Sequence, residues 1–249
     1  MDLLGGGVVA AGLMALAAVV IGYSKTALGG LAVVAVAIFA TVLPARQSTG
    51  AILAVLVVGD LVAVAHYRRD ADWSLIRRLL PAVLPGLVLG SLFLGVVDDT
   101  TLRRSIGAIL LVLVLLQLWV KRRSDGGGSD VHERRPVAWA AGTGVGFATM
   151  TANAAGAVMT LYLSASGIDK RRFVGTNAWF FLIVNLVKVP FSVGLGLLHP
   201  ADVGRAALLA PLVLVGGLLG YATVRRIGQR TFDVAVLVAS AVAAAALLL

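Results

Sequence analysis

Across 249 residues there is no cysteine, which excludes disulfides, thiolate-bound metals and a cysteine nucleophile together. Histidine is nearly as scarce. His66, His132 and His199 fall at loops or at the ends of apolar runs, and the metalloprotease pattern HExxH does not occur. With no histidine inside an apolar run, the serines of "SASG" (164–167) have no base to activate them, and the chain reads as a non-enzyme with no cofactor and no metal site. Charge is also thin: 13% of residues are charged, against roughly 25% in a soluble domain. The ten-residue alternating segments of a transmembrane β-barrel are missing as well.

Apolar surface takes the place of charge. The chain is 59% hydrophobic, and runs approaching the ~20 residues needed to cross a bilayer recur from end to end. Embedded segments are predicted at roughly 5–23, 26–43, 47–66, 78–97 and 102–120, then at 137–148, 151–166, 173–197, 204–224 and 231–249. The fold class is therefore an all-α polytopic membrane protein in the lipid bilayer. Only Asp2 precedes the first run and no basic stretch does, so that run is expected to be a span and not a cleaved signal peptide.

A charged, Gly-rich stretch, "KRRSDGGGSDVHERRP" (121–136), separates a first transmembrane repeat (1–120) from a second (137–249). The halves resemble each other. A shift of 125 places Gly50 on Gly175 and Asp60 on Asn185; a shift of 130 places Pro81 on Pro211, Gly86 on Gly216 and Gly90 on Gly220.

The net charge of +9 would suggest nucleic acid in a soluble protein, but here the basic residues sit in short loops, and no nucleic-acid partner is expected. Loops 67–78, 121–135, 167–172 and 225–230 hold fifteen of the 21 Lys and Arg, while the alternate loops hold Arg46, Arg103, Arg104 and Arg205. Positive-inside bias puts the first set, with the linker 121–136, in the cytoplasm of a cell whose inner (plasma) membrane the protein crosses. With five segments each, the two repeats are then inverted, an architecture of secondary transporters that bind substrate near the midplane.

Two interruptions fall at matching places, "GYSKTALGG" (22–30) and "GFATMTANAAG" (146–156). Such broken helices near the midplane are the sequence pointer to a transport site, and a helix N-terminus after each break favours an anion. Ser24, Lys25, Thr26, Gly29 and Gly30 are the candidates in the first break, and Thr149, Thr151 and Asn153 in the second. Further polar residues lie on the long segments: Asn177, Asn185 and Lys188 share a helix face by spacing, and Asp60 is the acidic residue well inside an apolar run. Plainer readings stand beside these. The glycines let helices approach, Lys25 snorkels to an interface, and the asparagines bond between helices. Asp60 is either a buried partner of a lysine or a proton or cation coupling site.

"GYSKTALGG", "LPARQSTG" (43–50), "HYRRDADW" (66–73) and "PGLVLGSLFLG" (85–95) resemble the TauE/SafE sulfite exporter family, also called the 4-toluene sulfonate uptake permease family. "GTNAW" (175–179) and "NLVKVPFSVGLG" (185–196) are similar to its second repeat. The resemblance implies secondary export of a small sulfur oxyanion, sulfite or an organosulfonate such as sulfoacetate. A cation, metal or other organic-anion permease and a channel are the alternatives. Coupling to H+ or Na+ and a homodimeric state are left open.

Overall fold

The computed structural model describes residues 7–27, 31–102, 104–106, 108–109, 112, 135–153, 155–156, 159, 162–163, 168–228, 231 and 234. Among them there is no strand. The helices are α1 (Val8–Thr26), α2 (Ala32–Val42), α3 (Ala45–Tyr67), α4 (Trp73–Val96), α5 (Arg135–Ala152), α6 (Lys170–Gly194) and α7 (Pro200–Arg226). Five of these, α1, α3, α4, α6 and α7, are long and apolar enough to cross a membrane. The linker residues 121–134 and all of 235–249 lie outside the described residues.

Two expected boundaries move. The first helix was expected to end at residue 23, yet α1 runs on through Ser24, Lys25 and Thr26, because these residues are buried against neighbouring helices and the backbone ladder continues to Ala27 N–H on Tyr23 O at 2.9 Å. The next helix starts at Ala32, not at residue 26, and has 11 residues. At 1.5 Å per residue it spans about 16 Å, half a bilayer core. Likewise α5 continues through Thr149 and Thr151 to Ala152, and the chain turns at Asn153, whose φ is 51°. Asparagine tolerates that left-handed conformation where most side chains do not.

The most buried helices, α3 and α6, form the centre. They run antiparallel. A methyl group on Gly50, near the start of α3, would lie 1.8 Å from the Leu197 carbonyl just past α6; one on Gly175, near the start of α6, would lie 2.9 Å from the Asp70 backbone just past α3. At mid-length Asn185 Nδ2 donates to Asp60 Oδ2 at 2.6 Å, joining two residues 125 apart in sequence.

The outer helices pack crosswise: α7 against α1, and α4 against α5. Their backbones touch at glycines. A Cβ on Gly22 would meet Val213 O at 1.9 Å, and one on Gly146 would meet Val83 O at 2.2 Å. One on Gly216 would meet Val19 O at 2.0 Å, and one on Gly86 would meet Thr143 O at 2.0 Å. Each pair of contacts is the image of the other when α1 is shifted by 124 onto α5 and α4 by 130 onto α7. The apolar residues these helices turn outward share that register: Leu84, Val88 and Leu89 on α4, Leu214, Leu218 and Leu219 on α7.

One end of the bundle gathers basic loops. Trp179 Nε1 donates to Arg68 O at 3.3 Å, and Lys170 Nζ donates to Ile227 O, which brings Arg68, Arg69, Lys170, Arg171, Arg172, Arg225 and Arg226 to the same end. At the other end Arg46 Nη1 donates to Leu94 O and Val97 O at 3.0 Å, while Asp99 accepts from the backbone N–H of Ala45 and Arg46.

Candidate functional site

The centre of the bundle holds a connected polar cluster in an apolar surrounding. Lys25, on the last turn of α1, is 6% exposed, and its Nζ lies 2.6 Å from Asp60 Oδ1 on α3. The same ammonium stands 4.7 Å from the centroid of the Phe181 ring, a cation–π contact. Asp60 is fully buried and its other oxygen takes the hydrogen bond from Asn185. Lys188, one turn on along α6 and 1% exposed, donates to Thr149 O and Asn153 Oδ1, each at 2.6 Å. Thr149 Oγ1 at 3.3 Å and Asn185 Oδ1 at 3.4 Å complete four acceptors around that nitrogen. An ammonium is the group that such a set of oxygens suits.

Asn153 ties the second break to both central helices. Its N–H closes α5 on Thr149 O at 3.1 Å, its Oδ1 receives Lys188, and its Nδ2 donates to Thr49 O on α3 at 3.3 Å. Burying this many charges is tolerable only because each is paired or bonded; a lone ion in such a place would be neutralised or expelled.

Beside the cluster lies a cavity of about 330 Å³, counting the space at its mouth. Lys25, Asn177, Asn185, Thr149 and Asn153 line it, joined by Phe181, Leu56, Ala32 and Gly156. Asn177 Oδ1 is buried and has no hydrogen-bond partner among the described residues. Ala32 is the first residue of α2, and Gly156 is helical three residues past the turn at Asn153, so the cavity looks onto the chain where it resumes after both breaks. The first N–H groups of a helix have no intrahelical acceptor, and the dipole there favours negative charge.

Of the residues expected at the site, the structure brings Lys25, Thr149, Asn153, Asn177 and Asn185 to the cavity. Ser24, Thr26 and Thr151 are off its lining, because their helices extend further than expected and turn them elsewhere. The Thr26 hydroxyl donates to Gly217 O at 2.8 Å and the Thr151 hydroxyl to Phe147 O at 2.8 Å. The first bond joins α1 to α7, and the second lies within α5. Lys188 and Asp60 lie behind the lining and touch it through Asn185 and Asn153. Gly29 and Gly30 lie outside the described residues. Phe181 was missed by the sequence reading, although a signal existed: Asn177, Phe181, Asn185 and Lys188 follow at intervals of four, four and three along one helix face. Among the described residues no cluster of His, Asp and Glu could hold a metal ion.

The family described as sulfite exporter TauE/SafE matches residues 14–247. An undecaprenyl-diphosphatase of Bordetella avium (strain 197N) is 30% identical over 120 residues, covering 38% of this chain and 43% of that protein. The chain thus spans less than half the length of that relative. No solved structure matches the chain. A match across nearly the whole length decides the matter: this chain belongs to the sulfite exporter TauE/SafE family, and is a multi-pass membrane protein of a family that transports sulfur-related anions.

Proposed function

From membership of that family we propose that the protein is a secondary transporter that exports a small sulfur oxyanion, sulfite or an organosulfonate such as sulfoacetate, across the inner membrane. The observation that carries the reading is the cavity itself. A buried ammonium, Lys25, and Asn177, whose buried amide oxygen has no hydrogen-bond partner among the described residues, line the same small space together with Ala32, the first residue of α2. The amide's oxygen and nitrogen are interchangeable in placement, so Asn177 can turn its NH2 to an oxyanion. The anion-binding group is Lys25 with Asn177, Asn185, Thr149, Asn153 and the helix beginnings after Gly29–Gly30 and Asn153; Lys188 supports it from behind.

Residues 1–120 and 137–249 are read as two inverted repeats joined by a cytoplasmic linker, 121–136. The bond between Asp60 and Asn185 supports this, as do the crossed glycine contacts, since two elements related by a two-fold axis touch through equivalent residues. The 11-residue α2 and the turn at Asn153 support breaks near the midplane. Coupling, to H+ or Na+, is assigned to Asp60; if protons are carried there, Asp60→Asn removes the pH dependence of flux. A homodimer is compatible with this scheme and is not required by it.

The test is calorimetry and thermal shift on the purified protein with sulfite, sulfoacetate, taurine, sulfate and a carboxylate. Sulfite or a sulfonate should bind and stabilise. If none of the panel does, the reading falls. In proteoliposomes, sulfite on the far side should accelerate labelled sulfite flux, which a channel would not produce.

A further inference from the structure

We infer that Asp60 sets the charge of the anion this site accepts, so that the wild-type protein selects monoanions such as hydrogensulfite or a simple sulfonate over dianions such as sulfate, which narrows the proposed substrates to the singly charged ones and sets sulfoacetate, a dianion at neutral pH, among the disfavoured. The inference rests on the anion-transport reading above and sharpens it.

The cluster contains three ionisable side chains, Lys25, Asp60 and Lys188, each at least nine-tenths buried. They form one chain of contacts, from Lys25 to Asp60 at 2.6 Å, to Asn185 at 2.6 Å and to Lys188 at 3.4 Å. Two ammonium groups and one carboxylate sum to one positive charge. Passing a proton from Lys188 to Asp60 leaves that sum unchanged, so the net charge does not depend on where the proton sits.

An uncompensated buried charge is unfavourable. A monoanion beside Lys25 brings the total to zero. A dianion leaves one negative charge in its place and gains no more than the empty site lacked. Lys188 reaches the ligand only through its field, because its donors are engaged by Thr149 and Asn153 and it does not line the cavity. Asp60 likewise is not in the cavity lining and meets it through Lys25 and Asn185. The selection is therefore by total charge and not by direct contact.

Methanesulfonate and sulfate make the test clean, since they are similar in size and differ by one charge at neutral pH. The ratio of their dissociation constants is measured by calorimetry on wild type, Asp60→Asn, Lys188→Gln and the double variant. Wild type should favour methanesulfonate by about tenfold or more. Asp60→Asn, with two net positive charges, should move the ratio toward sulfate by about tenfold. Lys188→Gln, with none, should weaken both ligands and move the ratio further toward methanesulfonate. The double variant restores one positive charge and should restore the wild-type ratio, which a merely structural role for Asp60 would not do. If wild type binds methanesulfonate and the ratio stays constant across the variants, the inference is wrong while the transport reading stands. Should Asp60→Asn not fold, the Lys188→Gln ratio decides alone. If wild type binds neither anion nor sulfite, the transport reading itself is lost.

Discussion

Lys25 stands 2.6 Å from Asp60 inside the bundle, and that contact separates two consequences of removing it. Lys25→Ala leaves a buried carboxylate unpaired, which costs about 3–5 kcal/mol when a buried pair is broken from one side. It also deletes a charge-assisted contact to the ligand, about ten- to hundredfold in affinity. Lys25→Ala/Asp60→Ala should recover much of the melting temperature but none of the sulfite binding, as read by thermal shift and calorimetry. Recovery of both would remove Lys25 from the site. Lys25→Arg should restore binding in part only, because a planar guanidinium does not fit the space of a compact ammonium. Asn177 offers the complementary case. Its Oδ1 has no protein partner, so Asn177→Leu, close in volume, should leave stability unchanged or slightly higher. Anion affinity should fall several-fold in the same variant, and an unchanged dissociation constant would place the ligand elsewhere.

At the scale of elements, the helices are held by backbone contact at glycines and by caps at their ends. A Cβ on Gly22 or Gly146 would press within about 2.2 Å of a carbonyl oxygen on the facing helix, and backbone cannot yield as a side-chain tip can. Gly22→Ala and Gly146→Ala should both fail to give a monodisperse folded protein on size exclusion. Gly12→Ala lies in the same helix as Gly22 with nothing within 4 Å of the new methyl. It should fold and gain about 0.5–1 kcal/mol from lower chain entropy and better helix propensity. The start of α4, five residues earlier than its apolar run, is set by Asp72, whose carboxylate accepts from the N–H groups of Ser74 and Leu75. The Ser74 hydroxyl donates to the same carboxylate and holds its pKa below the usual aspartate range, with the backbone bonds adding to the effect. A pKa lower in the folded state contributes stability above the unfolded value of about 4 and loses it as pH falls further. Asp72→Ala should therefore cost about 1 kcal/mol at pH 7, with the gap to wild type narrowing below about pH 4 in thermal scans.

For the whole molecule, the question is which end faces which compartment. The basic loops lie together at one end, while Arg46 and Asp99 lie at the other. Because the chain has no cysteine, single cysteines report without background. Arg69→Cys and Thr100→Cys, both at exposed positions, should label from opposite faces of the membrane, Arg69 from the cytoplasm. Labelling of both from one face would mean that α4 does not cross the membrane and would remove the topology on which the inverted arrangement rests.

The sequence by itself determined the class and marked the polar residues that the structure gathers at the centre. Long apolar runs admit no other solvent than lipid, and a charge within one, as at Lys25 or Asp60, stands out because it is costly there. Only the tertiary structure decided which of those residues face the cavity. Ser24, Lys25 and Thr26 are consecutive, and their composition is equally polar. Yet the helix continues through all three, so a rotation of about 100° per residue sends Lys25 to the centre and Thr26 to the α7 backbone. Composition marks where a helix is interrupted, but burial against a neighbour decides where its ladder stops. The pairing of Asp60 with Asn185, 125 residues apart, was legible as a match between the halves and became a contact only when α3 and α6 packed antiparallel.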